Sequence, residues 1–273
     1  MGTRIISGVI GIALATIVIQ MGGVVFNAFV LILALIGWRE YVSAFSNMEV
    51  VIERYLGALT IFAMWALATQ SHFNLIFPIA LLGILLVFSK TVFCHRTFNV
   101  QQACYTVAGI CYVGFTFIHL RLLRAFGNGV MLNSPVGNMD LGCGLIWIAL
   151  IGTWSSDTFA YFSGYLFGKH KLCPEVSPKK TIEGFIGGVL GTMLTVTLVG
   201  SSLGFAAASM TALGLCIALA ATIGDLVESA IKRYVGIKDS GNLIPGHGGV
   251  LDRFDSVMFT VPFVYYFMKI LFN

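Results

Sequence analysis

Long runs of apolar residues dominate this chain and exclude most of the ways in which it could fold. Hydrophobic residues make up 58% of the 273 residues, and the mean hydropathy is +0.91. A helix that crosses a membrane needs about 20 mostly apolar residues, and it satisfies its own backbone hydrogen bonds inside lipid. The sequence therefore predicts an all-α integral membrane protein, a polytopic bundle of about nine transmembrane helices.

The predicted membrane segments cover nearly the whole chain. They are 5–21, 24–45, 55–70, 73–93, 102–122, 142–168, 182–206, 209–231 and 256–272. No internal repeat or Ser/Gly-rich linker divides the chain, which predicts a single transmembrane domain over 1–273. Within that domain, residues 1–140 supply the N-terminal helices, and residues 141–273 form a half that carries the polar motifs.

Basic residues are distributed unequally between the two sides of the predicted bundle. Of the 16 Lys and Arg residues, only Arg121, Arg124 and Lys269 fall on the side opposite the N-terminus. Because cytoplasmic loops carry an excess of Lys and Arg, the N-terminus and the polar loops 169–181 and 232–255 are predicted to be cytoplasmic. The predicted location is the cell (inner) membrane. The net charge of +4 is small, and no nucleic acid is predicted as a partner.

Charge is concentrated in one stretch near the C-terminus. Only 10% of the chain is charged, yet residues 225–255 contain Asp225, Glu228, Lys232, Arg233, Lys238, Asp239, Asp252, Arg253 and Asp255. Within this stretch, Pro245 and several glycines surround His247, which prevents a regular helix and lets the backbone approach a ligand closely. The pattern predicts a site for a polyanion.

The spacing of the acidic residues predicts a metal ion at this site. Asp225, Glu228, Ser229 and Lys232 recur at i, i+3, i+4 and i+7, so a helix would present them on one face. Asp252 and Asp255 would also share a face if the last helix begins there. Carboxylates at two helix ends can converge on a hard cation such as Mg²⁺, which takes oxygen ligands and binds substrate phosphates. An interfacial network of salt bridges is the alternative.

A further carboxylate, Asp157, lies within the sixth apolar segment. A charge in the hydrocarbon region is costly and usually faces a protein interior or a wet cavity on a functional path. A structural hydrogen-bonding role for Asp157 is the alternative.

The loop after the sixth segment resembles the start of a helix beside two lysines. Ser177 and Pro178 precede Lys179 and Lys180, and Thr181 and Glu183 follow. A helix N-terminus beside two lysines suits a phosphate, whereas anchoring at the membrane surface is the alternative. The next helix carries Gly184, Gly187, Gly188 and Gly191 at Gly-x-x-x-Gly spacings, which predicts close helix packing.

From Ser229 to Asp255 the chain resembles the phosphatidate cytidylyltransferases, also called CDP-diacylglycerol synthases. The family pattern reads Ser-x-x-Lys-Arg, Lys-Asp-x-Gly, Ile/Leu-Pro-Gly-His-Gly-Gly and Asp-Arg-x-Asp, and every fixed element is present here. Residues 153–188 are similar to a second block of the family. The resemblance implies a helical bundle and a role in phospholipid biosynthesis. The reaction that the resemblance implies converts CTP and phosphatidic acid to CDP-diacylglycerol and pyrophosphate, and it requires Mg²⁺.

The candidate site residues follow from the pattern and from the resemblance. Asp225 and Asp252 are the first-choice metal ligands, with Asp255 and Glu228 as further ligands or supports. Lys232 and Arg233 would neutralise phosphate, and His247 would orient phosphate, donate a proton to pyrophosphate or structure its loop. The wider substrate-binding set is Asp157, Ser177, Lys179, Lys180, Ser229, Lys238, Asp239, Gly248, Gly249 and Arg253.

The implied cofactors and partners extend beyond the protein chain. Mg²⁺ is the expected cofactor, and a second cation, such as a monovalent one, is a further candidate. CTP, phosphatidic acid and the lipid bilayer are the expected partners, and a second copy of the chain, forming a homodimer, is a further candidate.

Two other classes of protein are weighed against this prediction. An ion-coupled transporter would also use Asp157, Asp225 and Glu228 in helices, but it favours inverted repeats and helix breaks at the midplane, and the sequence contains neither. A phosphotransferase that consumes a CDP-activated lipid would carry an Asp-Gly-x-x-Ala-Arg element, which this sequence lacks.

Overall fold

The structure is a computed structural model that describes residues 2–48, 50–68, 72–135, 137–244, 246 and 248–272, with side chains from residue 6 onward. Within these ranges, α-helices account for most of the chain. They are α1 (Gly2–Met21), α2 (Gly23–Ser46), α3 (Arg54–Leu67), α4 (Ile76–Phe93), α5 (Val100–Gly109), α6 (Thr116–Arg124), α7 (Leu141–Phe167), α8 (Ile182–Ser202), α9 (Ala207–Tyr234) and α10 (Leu251–Leu271). A 3₁₀ turn at Phe73–Leu75 precedes α4, and a π-helical turn at Ile110–Phe115 joins α5 to α6.

The helices confirm a polytopic membrane bundle. Among the described residues, six helical stretches are long and apolar enough to span a membrane: Gly23–Ser46, Phe73–Phe93, Val100–Arg124, Ile182–Ser202, Ala207–Tyr234 and Leu251–Leu271. Two apolar helices, Ile6–Met21 and Arg54–Leu67, are shorter. Each of the nine predicted segments is largely helical within the described ranges, but the count of nine membrane spans is not confirmed.

Two short hairpins interrupt the helical pattern. The antiparallel pairs are β1 (Met131–Ser134) with β2 (Gly137–Asp140), and β3 (Lys171–Cys173) with β4 (Ser177–Thr181). The second hairpin occupies the polar loop 169–181, and β4 leads directly into α8. The hairpin therefore carries Lys179 and Lys180 to the start of a helix.

The described chain divides into two compact units. Unit 1 comprises Met1–Leu122 and Tyr234–Arg253, and unit 2 comprises Leu123–Arg233 and Phe254–Asn273. The glycine-rich stretch therefore belongs to the same unit as the first helices. Helix α10 begins in unit 1 and continues in unit 2. The single transmembrane domain stays a prediction.

In unit 1, α2 packs against α3 and the π-helical turn, and α3 packs against α4. The indole Nε1 of Trp38 donates a hydrogen bond to the backbone oxygen of Arg54 at 2.9 Å. The same ring lies so close to Gly57 that a Cβ there would collide with it. The buried residues of α2 include Trp38 and the acidic residue Glu40.

In unit 2, α7 and α8 pack closely along their length. A Cβ on Gly184 would lie 2.8 Å from the carbonyl oxygen of Ala160, and one on Gly188 would lie 3.1 Å from that of Ser156. Both contacts are tight and involve backbone atoms, which cannot move without shifting the helix. The prediction that the glycines of α8 permit close helix packing is confirmed.

We expect Gly188→Leu to lower the thermal stability of the detergent-solubilised protein, because a leucine side chain must force α7 and α8 apart. Overpacking typically costs about 1–3 kcal/mol. Gly11→Leu is the matched control, since a Cβ there meets nothing within 4 Å. Melting curves of the two variants test the prediction, and equal melting temperatures would contradict it.

Candidate active site

Helix α9 presents the predicted polar face in unit 2. The Ser229 hydroxyl donates a hydrogen bond to Asp225 Oδ1 at 3.3 Å, and Lys232 Nζ lies 2.5 Å from Glu228 Oε2. The prediction that these four side chains share one helical face is confirmed. Glu228 is only 3% exposed, so its charge is compensated by Lys232 inside the protein.

The start of α8 is built as the sequence predicts. Thr181 is the N-cap, and its hydroxyl accepts a hydrogen bond from the backbone N–H of Gly184 at 3.1 Å. In the first turn, the Glu183 carboxylate accepts a hydrogen bond from the backbone N–H of Lys169 at 3.0 Å and contacts His170 Nδ1 at 2.6 Å. These contacts hold the β3–β4 hairpin against the helix that follows it.

Lys180 joins the hairpin to α9. Its Nζ lies 2.6 Å from Asp225 Oδ2, and both side chains are partly exposed. The ammonium and the carboxylate come from elements 45 positions apart in the sequence, so the spacing of residues does not predict their contact.

A cavity of about 470 Å³ lies around this ion pair, wholly within unit 2. Two carboxylates and two lysines line it together with aromatic and small side chains: Ser156, Asp157, Ala160, Tyr161, Gly164, Tyr165, Leu172, Lys179, Lys180, Thr181, Gly184, Phe185, Thr222 and Asp225. The acidic residue of the sixth apolar segment and the basic residues of the polar loop therefore share one cavity.

Asp255 lies on a turn of α10 that packs against α9. A Cβ on Gly224 would lie 2.6 Å from the carbonyl oxygen of Asp255, so the helix turn that contains Asp225 lies close to the turn that contains Asp255. The Asp255 Oδ1 atom accepts a hydrogen bond from the backbone N–H of Ser256 at 2.6 Å. Of the two acidic residues near the start of α10, Asp255 is the one that belongs to the same unit as Asp225.

Asp252 organises the glycine-rich stretch in unit 1. Its Oδ2 atom accepts three hydrogen bonds of 2.8 Å, from the backbone N–H and the hydroxyl of Ser240 and from the backbone N–H of Gly249. Gly248 has φ +82°, and a Cβ there would lie 2.5 Å from the same oxygen. A residue with a side chain would therefore be disfavoured at 248 both by its backbone conformation and by lack of space.

Helix α10 begins at Leu251, five residues before the predicted segment 256–272. Asp252 and Asp255 therefore lie on one helix three residues apart, as the conditional prediction required. Their separation places the two side chains on the same face of α10.

Glu40 is a functional candidate that the sequence-based reasoning missed. It is 7% exposed, and its Oε1 and Oε2 atoms accept hydrogen bonds from the backbone N–H groups of Val250 and Leu251, both at 2.9 Å. The available signal was a carboxylate inside a predicted apolar helix, the same signal that singled out Asp157.

The remaining candidates are divided between the two units. In unit 1, Lys238, Asp239 and Arg253 are exposed, whereas Gly249 is buried. In unit 2, Arg233 is exposed near the end of α9, and Ser177 is the first residue of β4. His247 lies outside the described residues. The convergence of Asp225 and Asp252 on one cation stays a prediction.

The donor atoms of the cavity fit a Mg²⁺ ion that is shared with a substrate. Over the described ranges, no group of three or more His, Cys, Asp and Glu side chains is placed to hold a metal by itself. Mg²⁺ commonly binds one or two carboxylates, several waters and substrate phosphates. Asp157 and Asp225 supply carboxylate oxygens in a cavity that also has two lysines for phosphate.

Comparison with known proteins places this arrangement in a family. The sequence pattern of the cytidylyltransferase family matches residues 2–271. The chain is 31% identical over 280 residues to a phosphatidate cytidylyltransferase of Bacillus subtilis (strain 168), covering 99% of this chain and 98% of that protein. It is 33% identical to one of Staphylococcus saprophyticus, covering 96% of each chain. It is 34% identical to one of Synechocystis sp., covering 98% of this chain and 96% of that protein. The chain therefore belongs to the cytidylyltransferase family.

Proposed function

We propose that this protein transfers the cytidylyl group of CTP to phosphatidic acid, forming CDP-diacylglycerol and releasing pyrophosphate. The observation that carries the proposal is the cavity of unit 2, where Asp157, Asp225, Lys179 and Lys180 lie together. Two carboxylates for a metal and two ammonium groups for phosphates are the groups that a reaction between two polyanions requires. The names of the relatives supply the substrate pair.

The reaction needs little covalent help from the protein. An oxygen of the phosphatidate phosphate attacks the α-phosphorus of CTP, the bond from that phosphorus to the bridging oxygen breaks, and the electron pair leaves with pyrophosphate. The attacking phosphate monoester is already ionised near neutral pH, since its second pKa is about 6. The protein must instead bring two polyanions together and stabilise the charge that develops on pyrophosphate.

The basic residues would neutralise these phosphates. Lys179 and Lys180 line the cavity, and Lys180 is held in position by Asp225 at 2.6 Å. Lys232 lies on the same face of α9 as Asp225 and forms an ion pair with Glu228. Arg233, the residue after Lys232, and Lys238 would contribute further positive charge. The carboxylate contacts of Lys180 and Lys232 orient these two flexible side chains before the substrate arrives.

Asp225 would hold Mg²⁺ in this proposal together with Asp157 of the same cavity, and Asp252, Asp255 and Glu228 would be further ligands or supports. When bound, the ion would neutralise charge on the phosphates of CTP. Asp225 itself orients Lys180 and accepts a hydrogen bond from Ser229, so it links the metal ligands to the phosphate-binding lysines. Omitting and restoring Mg²⁺ in the assay tests the requirement, and varying K⁺ in the same assay tests a second, monovalent cation.

The site would lie at the cytoplasmic boundary of the cell (inner) membrane. Phosphatidic acid would reach it from the bilayer and CTP from the cytoplasm. The unequal distribution of Lys and Arg between the two sides supports this orientation.

We expect a cysteine at position 179 to be protected from outside labelling. With Lys179→Cys in a variant that lacks the six native cysteines, a membrane-impermeant thiol reagent should react only after the cells are permeabilised. Asn138→Cys is the matched control, because it is exposed in the β1–β2 hairpin on the opposite predicted side and should react in intact cells. The reverse labelling pattern would overturn the proposed topology.

Purified protein with CTP, phosphatidic acid and Mg²⁺ tests the reaction itself. The expected products are CDP-diacylglycerol and pyrophosphate in equal amounts, and neither should form when one substrate is omitted. In a parallel reaction that supplies CDP-diacylglycerol and an alcohol acceptor instead, release of CMP without formation of pyrophosphate would favour the phosphotransferase alternative. Light scattering coupled to size exclusion of the same sample tests for a homodimer.

A further inference from the structure

Glu40 holds the glycine-rich stretch of unit 1 through contacts from several directions. One carboxylate oxygen accepts the N–H of Val250 and the other accepts the N–H of Leu251, both at 2.9 Å. The Ser240 hydroxyl approaches Oε2 at 3.5 Å. The carboxylate therefore contacts both ends of the segment 240–251, whose described residues (240–244, 246 and 248–251) we call the signature loop.

The two glycines of the signature loop that face Glu40 show how closely the loop is fitted to it. A Cβ on Gly241 would lie 2.6 Å from Glu40 Oε1, and a Cβ on Gly249 would lie 2.5 Å from the same atom. Even a methyl group at either position would force the loop and the Glu40 carboxylate apart. Close approach to Glu40 is therefore one physical reason for glycine at these two positions.

The hydrogen bonds from Val250 and Leu251 also fix the start of α10. The first N–H groups of a helix have no partner within the helix, and an anion near them is stabilised by the helix dipole. Leu251 is the first residue of α10, and the next residue is Asp252, which binds Ser240 and Gly249 of the same loop. Glu40 and Asp252 thus both accept hydrogen bonds from backbone N–H groups of the signature loop.

We propose that Glu40, on α2, is a positioning residue that orders the signature loop and thereby sets Asp252 for the reaction. Its effect on catalysis rests on the proposed function, whereas its effect on the order of the loop does not. A residue of the N-terminal helices then has a role in ordering the glycine-rich stretch, although sequence-based reasoning gave those helices no chemical role.

Glu53 provides a matched control for Glu40. Both carboxylates are 7% exposed and belong to unit 1. Glu53 forms an ion pair with Lys90 and accepts a hydrogen bond from the backbone N–H of Tyr55, at the start of α3. A general effect of removing a buried charge should therefore appear in Glu53→Gln as well, whereas loosening of the signature loop should not.

The test compares Glu40→Gln, Glu53→Gln and wild type by hydrogen exchange and by kinetics with CTP and phosphatidic acid. In Glu40→Gln an amide NH₂ must face one of the two backbone N–H groups, so that hydrogen bond is lost. We expect exchange in peptides covering 240–251 to be at least about tenfold faster, since hydrogen bonds to charged groups are stronger than those between neutral groups and one of them is lost. We also expect kcat to fall about tenfold or more. Glu53→Gln should leave both unchanged in the folded fraction.

Unchanged exchange over 240–251 in folded Glu40→Gln would overturn the positioning role, whatever the kinetics. Faster exchange with wild-type kcat would overturn its part in the reaction. If Glu40→Gln does not fold, Gly241→Ala displaces the loop while keeping the carboxylate, and it should give the same local change. A wild-type protein that does not convert CTP and phosphatidic acid would refute the proposed function and leave the exchange result standing.

Discussion

Asp225→Asn is expected to lower turnover at least about a hundredfold while the protein still inserts and folds. Asparagine keeps the size of the side chain but removes its charge, so Lys180 loses its ion-pair partner and a metal loses a carboxylate ligand. A hundredfold loss corresponds to roughly 2.7 kcal/mol of barrier. Steady-state kinetics in mixed micelles measures the loss, with folded yield checked by size exclusion.

Asp140→Asn is the control for the loss of an aspartate charge in the same unit. Asp140 pairs with Arg124 at 2.5 Å and caps α7 by accepting the N–H of Cys143 at 2.8 Å. Asparagine caps a helix about as well as aspartate, so Asp140→Asn keeps the cap of α7 and removes only the ion pair with Arg124, which should cost at most about 1 kcal/mol of stability and leave turnover of the folded protein unchanged. Retention of more than about a tenth of wild-type activity by Asp225→Asn would argue against a metal-binding role, since that loss is below about 1.4 kcal/mol.

Asp252→Asn should produce a loss of similar size for a different structural reason. Asp252 Oδ2 accepts three hydrogen bonds from Ser240 and Gly249, and the side chain is 8% exposed. The neutral amide is a weaker acceptor for all three, and the charge proposed for metal binding is lost. We expect turnover to fall at least about a hundredfold, because hydrogen bonds to charged groups contribute roughly 1.5–3 kcal/mol each.

Ser240→Ala separates these two contributions. It removes the hydroxyl hydrogen bond to Asp252 but keeps the backbone one and the carboxylate charge. Its effect on turnover should therefore be much smaller, about tenfold. If Ser240→Ala lowered turnover as much as Asp252→Asn, the order of the loop alone would account for the effect. Wild-type turnover in Asp252→Asn would contradict both roles.

Close spacing in the sequence was sufficient to predict the polar face of α9 and the start of α8. Asp225, Glu228, Ser229 and Lys232 lie within eight residues, and the 3.6-residue period of a helix is enough to place them together. Thr181 followed by Glu183 indicated a helix N-terminus for the same local reason. The hydropathy of each segment likewise depends only on neighbouring residues, so the helical membrane bundle could be predicted while the number of spans was not confirmed.

The same reasoning underestimated the length of α10. The predicted segment began at 256 because the charged residues before it interrupt the apolar run. The helix begins at Leu251, where Glu40 and Asp252 bind the backbone N–H groups of Leu251 and Gly249. Tertiary contacts therefore extend this helix to include two acidic residues that hydropathy alone leaves outside.

The sequence by itself determined the helical membrane class, the polar faces and the family signature, because each depends on residues that are close together in the chain. Only the tertiary structure placed Lys180 against Asp225 and enclosed both with Asp157 in one cavity. Only it revealed Glu40, whose partner Val250 is 210 positions away. The contacts of a buried carboxylate depend on which backbone N–H groups the packed helices bring near it. The distance in space between such a carboxylate and an N–H group cannot be read from their spacing along the chain.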